Sequence, residues 1–223
     1  MSCQSAKYKT EVKPIVSFIF DDGWENHFKV VKPIFDERNI KCGFAIVKRL
    51  VGVNNRLDSV QIKQLNDDGF EILSHSVNHF KMSSNELDVN DAKKEIVQSL
   101  YYLRELNCKV NGWVTPMSIM HDDFVPLLGN YEYGFTKSNG LNPIDIEAKK
   151  PYKMTRVGLE SITLQKAKWL ADIAYQKKKP VVFYTHSIDE NSKKEEELIL
   201  LIDYCIEKGY AIGVPNEIFL RYY

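Results

Sequence analysis

The 223-residue sequence predicts an α/β protein: a distorted or incomplete (β/α) barrel of about seven parallel strands, with a doubly wound open sheet as the alternative. Three observations predict it. Apolar runs of strand length alternate with helix-period segments almost throughout, the pattern of a parallel sheet covered by helices. No linker rich in Gly, Ser or Pro divides the chain, whose length suits a single core. The residues able to do chemistry fall where strands end, and in parallel α/β folds that rim is where active sites are built.

The elements follow in order. Residues 1–13 read as a flexible tail and 14–223 as one domain. The first strand is Ile15–Phe20, ending at Asp21-Asp22-Gly23, and a helix follows over Glu25–Arg38. The second strand is Cys42–Val47; helix Ser59–Asp68 stops at Gly69, where a left-handed residue is needed, and strand Phe70–Ser74 leads into His75-Ser76-Val77-Asn78-His79. Helix Glu86–Leu106 precedes strand Gly112–Thr115 and Pro116, and helix Asp122–Leu128 precedes strand Gly134–Thr136. Ser138–Lys153, with Pro143 and Pro151, is the one long irregular segment. Helix Leu164–Lys178, strand Val181–Tyr184 with His186 beyond it, helix Glu195–Lys208 and strand Ala211–Val214 complete the chain. Trp113, within a strand, and Trp169, at helical spacing with Ile173, read as core.

Composition excludes several partners. With 30 basic and 30 acidic residues the formal net charge is zero, without the basic excess of a nucleic-acid-binding surface. No run of eighteen apolar residues is present, so no transmembrane segment is expected. Cys3, Cys42, Cys108 and Cys205 form no C-x-x-C pair, and three of them lie in apolar settings typical of buried thiols. Met1-Ser2-Cys3-Gln4-Ser5 followed by a polar stretch looks like a processed lipoprotein start behind a methionine, which would place the protein in the cell envelope or outside the cell; a cytoplasmic protein with a short tail is the alternative.

The chemistry concentrates in two segments. Asp21-Asp22 supplies two carboxylates, and His75 with His79 two imidazoles. One carboxylate and two imidazoles make the ligand set of an open catalytic divalent-metal site, and the second carboxylate is then available as a base for a metal-bound water. Zinc is the first expectation, with cobalt, nickel or manganese as alternatives. Three other readings fit the residues less well: a magnesium-binding receiver domain would want a lysine after a late strand, where His186 stands; a zinc protease would want glutamate beside His75; an aspartyl phosphatase would want Asp-x-Asp.

With these residues in place, the chain resembles the polysaccharide deacetylases of carbohydrate esterase family 4. Phe20-Asp21-Asp22-Gly23, His75-Ser76-Val77-Asn78-His79, Thr115-Pro116 and Thr185-His186 come in the family's order over about residues 14–215. The resemblance implies a metal-dependent hydrolase removing acetyl groups, N-acetyl first, from a carbohydrate or surface polysaccharide. It also implies a distorted (β/α) barrel. Asp22, His75 and His79 would hold the metal and Asp21 would be the general base. The backbone N–H of Met117, after Pro116, would face the oxyanion, and His186 would protonate the departing amine.

The chain departs from the family pattern at three positions. Val114 and Met117 replace the arginine and the aromatic that usually flank the proline of the third motif, and Tyr184 replaces the apolar residue that helps line the acetyl pocket. Since the arginine normally orients the base, Arg156 is expected to reach Asp21 instead, from an adjacent strand end. Trp24, directly after Asp-Asp-Gly, could offer a stacking face to a sugar or pack over the first helix. His27 and His121 are left outside the metal site. The alternative function is a catalytically weak or inactive glycan-binding module on the same fold, and oligomeric state is open.

Overall fold

The computed structural model describes residues 13–138, 142–144 and 149–223. The lipoprotein-like start, Cys3 and almost all of the expected tail lie outside these residues, as does part of the irregular segment Ser138–Lys153.

Among the described residues, eight strands form one parallel sheet: β1 (Ile15–Phe20), β2 (Gly43–Ile46), β3 (Glu71–Ser74), β4 (Gly112–Val114), β5 (Tyr133–Ser138), β6 (Met154–Gly158), β7 (Val181–Thr185) and β8 (Ala211–Ile212). The order β2-β3-β4-β5-β6-β7-β1 closes on itself through a β1–β2 pairing, so seven strands make a barrel. Because β7 pairs with β1 from Val16 to Phe20, the other edge of β1 is shared: β8 takes Ile15 and Val16, and β2 takes Ile19 and Phe20. That divided edge is the distortion.

The strand count matches the expectation, but its membership differs. Strand β6, directly after the irregular segment, is not among the expected strands, and Ala211–Ile212 is a short eighth strand outside the closed ring.

Period-two alternation sorts the strand side chains into two cores. Ile15, Ile19, Ala45, Leu73, Val114, Tyr133, Phe135, Met154 and Val182 fill the barrel interior, closed at one end by Ile218. Phe18, Phe20, Phe44, Ile72, Trp113, Val157 and Phe183 belong to the second core, which includes the helices.

The helices start where short polar side chains can accept from free N–H groups. In α2 (Ser59–Asp67) Asp58 and Gln61 form a reciprocal capping box; Asp88, Thr163 and Ser192 cap α3 (Val89–Glu105), α4 (Leu164–Gln176) and α5 (Lys193–Glu207). The first expected helix is instead a π-helical turn, His27–Val31, running into a short α1 (Lys32–Asp36) with Pro33 in its first turn. Asp122–Leu128, with Pro126 inside, is 3-10 helix rather than α. Helix α6 (Pro215–Tyr222) covers the amino-terminal mouth of the barrel, stacking Phe219 on Tyr133.

Cys42, Cys108 and Cys205 are free and buried, and Trp113 is core as expected. Trp169 is not: it is 43% exposed, with Lys166 over its ring, because its helix position faces away from the sheet. Among the described residues no helix is long and apolar enough to cross a membrane.

Candidate active site

The interior alternation carries straight into the rim. Ile19, Leu73, Met154 and Val182 are interior residues, and two positions after each stand Asp21, His75, Arg156 and Tyr184. Four strands therefore aim their last inward side chains at one mouth. Asp22 is the next residue after Asp21 and on an extended strand would turn outward. It does not, because its backbone is left-handed (φ 73), a conformation continued by Gly23 (φ 63). Further non-glycine residues at the same rim are left-handed too: Ser76, His79, Met117 and Ser118. Strain of this kind collects where a site must hold side chains in an uncommon direction.

Asp22, His75 and His79 come together, with one ligating atom from each lying within 4.8 Å of the others. Asp22 Oδ1 is 3.5 Å from His75 Nε2 and 3.3 Å from His79 Nε2. It is buried and accepts no hydrogen bond among the described residues. His75 Nδ1 lies 2.7 Å from the carbonyl oxygen of Val114, which can only accept, so Nδ1 carries a proton and Nε2 is the nitrogen able to present a lone pair to a cation. An orphaned carboxylate oxygen facing imidazole nitrogens fits a divalent cation, and an outward-held Nε2 is how metal-binding histidines are fixed. Burial opposes the charge on Asp22, but His75, then His79 and His186, outweigh it and hold the carboxyl well below the usual range. Burial and the neighbouring His75 lower His79.

Asp21 is 2% exposed and divides its oxygens. Oδ1 accepts from Arg156 Nη1 at 2.6 Å, while Oδ2 faces the cluster, 4.0 Å from His75 Nε2. The expected Arg156–Asp21 contact is thus present by a different route. Strand β7 separates β6 from β1, so the guanidinium crosses the barrel interior instead of passing between adjacent strand ends. It reaches Asp21 with one arm only; Nη2 lies 3.4 Å from Ser118 Oγ, and the plane stacks 4.0 Å from the Tyr184 ring centre. Gly158 makes room for this stack, since a Cβ there would come within 3.1 Å of the Tyr184 ring.

His186 stands opposite. Its Nδ1 is 3.0 Å from Glu160 Oε1, which also accepts from the His186 backbone N–H and from Thr185 Oγ1. The hydrogen bond to Glu160 raises the His186 pKa despite partial burial, and leaves Nε2 free. Burial would raise Glu160, but its contacts with His186 and Thr185 bring it down to about 2. No local pattern marks Glu160 as part of the site; its placement depends on β6, four residues after Arg156.

Met117 is 58% exposed on the turn after β4, and Pro116 before it is buried. One face of Trp24 is covered by Arg56, whose guanidinium carbon is 3.4 Å from the ring centre and whose Nη1 donates to the Asp22 carbonyl. His27 is buried and bonds the carbonyl of His186, so it supports the site from below; burial lowers it to about 4. His121 is exposed beside Asp123 and outside the cluster.

A family model described as polysaccharide deacetylase matches residues 8–135, more than half of the chain. No curated protein sequence matches. Among solved structures, the Xyl-CE4 domain of a multidomain xylanase from the hindgut metagenome of Trinervitermes trinervoides aligns with TM-score 0.69 at 18% identity, covering 94% of this chain and 91% of that one. A family 4 acetyl xylan esterase from Clostridium thermocellum, in complex with a cobalt ion, aligns at TM-score 0.65 and 18% identity over 92% of this chain and 90% of that one. A CE4 family pseudoenzyme from Bacillus anthracis aligns at 0.64 and 18% identity over 93% of this chain and 66% of that one. At such identities the likeness is one of fold.

Proposed function

Because the chain belongs to the polysaccharide deacetylase family, we propose that it is a metal-dependent hydrolase that removes acetyl groups, N-linked ahead of O-linked, from an acetylated glycan. The observation that carries this reading is the convergence of the unbonded Asp22 Oδ1 with His75 and His79, beside an Asp21 held by a buried arginine.

Asp22, His75 and His79 would hold the ion, zinc first, with cobalt, nickel or manganese as alternatives. When bound, such an ion supplies Lewis acidity, acidifying a water molecule and polarising a carbonyl. Asp21 has one oxygen fixed by Arg156, and its Oδ2 is the base that takes the proton of the attacking water. Water then adds to the acetyl carbon, and the oxyanion that forms is met by the Met117 backbone N–H on the turn that buried Pro116 begins. His186, its Nδ1 engaged by Glu160, delivers a proton from Nε2 to the leaving nitrogen, so the C–N bond breaks to give acetate and a free amine. Tyr184 packs Arg156 from the pocket side and offers its ring to the acetyl methyl. Trp24, with Arg56 on one face, keeps only the other for a sugar.

The second reading, a glycan-binding module with weak or no turnover, is favoured by Val114 and Met117; Arg156 on Asp21 counts against it. Acetate release from a panel of acetylated glycans, measured on metal-stripped and metal-restored protein, tests the proposal. Binding without release under both conditions would select the module.

A further inference from the structure

The loop joining the two imidazoles is held through its carbonyls by the turn after β2 and through its N–H groups by one helix side chain. Ser76 (φ 69) and His79 (φ 63) are both left-handed without being glycine, a conformation that persists only where the surroundings over-determine it. One bond comes from within the loop: His79 N–H donates to Ser76 Oγ at 2.9 Å. Two more come from the turn after β2, where the backbone N–H groups of Lys48 and Arg49 donate to the carbonyls of Ser76 at 3.1 Å and Val77 at 2.9 Å. The remaining three end on Glu95 of α3. Its Oε2 accepts from the backbone N–H groups of Val77 at 3.0 Å and Asn78 at 2.8 Å, and its Oε1 accepts from Asn78 Nδ2 at 2.6 Å.

Glu95 is only 5% exposed, and among the described residues its carboxylate has no cation partner; its charge is satisfied entirely by this loop. A buried carboxylate placed this way is costly unless all its donors are in place, so the arrangement tolerates little movement of the loop. Helix α3 also fixes the strand end. One turn on from Glu95, Ser99 Oγ lies 2.7 Å from Ser74 Oγ, the residue before His75, and Tyr131 donates to the same Ser74 oxygen. The same helix thus holds the residue before the first imidazole and the residues before the second.

We propose that Glu95 is a positioning residue: a buried anionic clamp that keeps His79 in register with His75 and Asp22 and thereby sets the affinity of the metal site. The inference rests on the reading of Asp22, His75 and His79 as that site. Glu95 touches neither imidazole, so its effect passes through the backbone of Val77 and Asn78.

Co2+ binding to the whole protein, followed by its visible absorption in competition with a chelator, tests this. Glu95→Ala strands two backbone N–H groups and is expected to weaken Co2+ binding roughly 10–100-fold. Should that variant fail to fold, Glu95→Asp, one methylene too short to span the same three donors, is expected to move affinity in the same direction. Glu95→Gln can keep its amide oxygen on the two backbone donors and bond a turned-over Asn78 amide, so it is expected to recover most of the affinity. Leu100→Ala, a fully buried position on the same helix, should lower the melting temperature without changing Co2+ affinity. Wild-type affinity in Glu95→Ala, or an equal loss in Leu100→Ala, overturns the inference. A wild-type protein that binds no Co2+ overturns the reading of the site itself and this inference with it.

Discussion

Replacing Arg156 by lysine separates orientation from charge at the candidate base. Both side chains of the Arg156–Asp21 pair are almost wholly buried, and a lysine keeps the positive charge. What it loses is the second arm toward Ser118, a long contact at 3.4 Å, and the planar stack on Tyr184 at 4.0 Å. The stack is worth roughly 0.5–2 kcal/mol and the long contact under about 1 kcal/mol. Stability should therefore fall by roughly 1–3 kcal/mol, or about 2–12 °C in melting temperature for a domain of this size. An ammonium that approaches Asp21 without these two guides lets the carboxylate shift by a fraction of an ångström. That should lower kcat/KM by roughly 10–100-fold, equivalent to about 1.4–2.7 kcal/mol. Arg156 touches none of the three candidate ligands, so metal content should not change. Acetate-release kinetics and elemental analysis on the same preparation read both quantities. Metal lost in parallel with turnover, or turnover unaffected, would refute the reasoning. Arg156→Met would instead leave Asp21 buried and unpaired, at a cost of about 3–5 kcal/mol.

Three further outcomes are expected. Asp21→Asn should retain metal and lose turnover by about 10²–10⁴-fold, whereas Asp22→Asn should lose metal; elemental analysis showing equal loss in both would mean the two roles are wrongly divided. Because the Glu160 contact raises His186 and the acid must be protonated to act, activity should be lost as pH rises through the His186 pKa, and Glu160→Gln should move that alkaline limb of kcat/KM to lower pH; an unmoved limb would exclude Glu160 from this role. Burial pushes Glu71 up to about 7 from 4.5, so the folded state favours its protonated form: the stabilisation is complete below about pH 4.5 and lost as pH rises through about 7. Glu71→Gln, a shape mimic of the protonated acid, should remove about 3 kcal/mol of that pH dependence, and a melting profile no flatter than wild type would contradict it.

How far the sequence could be read depended on local patterning. The strand before Asp21-Asp22 was visible as a nearly unbroken apolar run, and the strand before His75 as a short segment set off by the helix stop at Gly69. Strand β6 was hidden: Met154-Thr155-Arg156-Val157-Gly158 has a charge at its centre, a glycine at its end and only the short 3-10 turn Pro151–Lys153 directly before it. Its one usable signal was alternation, since Met154, Arg156 and Gly158 share the interior face. Missing β6 also concealed Glu160, and with it the partner of His186. The route of Arg156 was beyond local reading as well, because it depends on β7 lying between β6 and β1. Nor did periodicity reveal that Asp22 turns inward, which its left-handed backbone decides. Glu95 looked like one more polar helix residue; only the fold of the 75–79 loop shows its carboxylate to be committed.

The central claim is that Asp22, His75 and His79 form a metal site on which deacetylation depends. The most direct test is elemental analysis of the purified protein beside His75→Ala and His79→Ala, with acetate release measured on each after restoring the ion. The account predicts about one divalent ion per wild-type chain, with loss of both ion and acetate release in the variants while the fold is retained, since the barrel core does not depend on these rim side chains. Full occupancy in both variants, or undiminished acetate release without the ion, would contradict it.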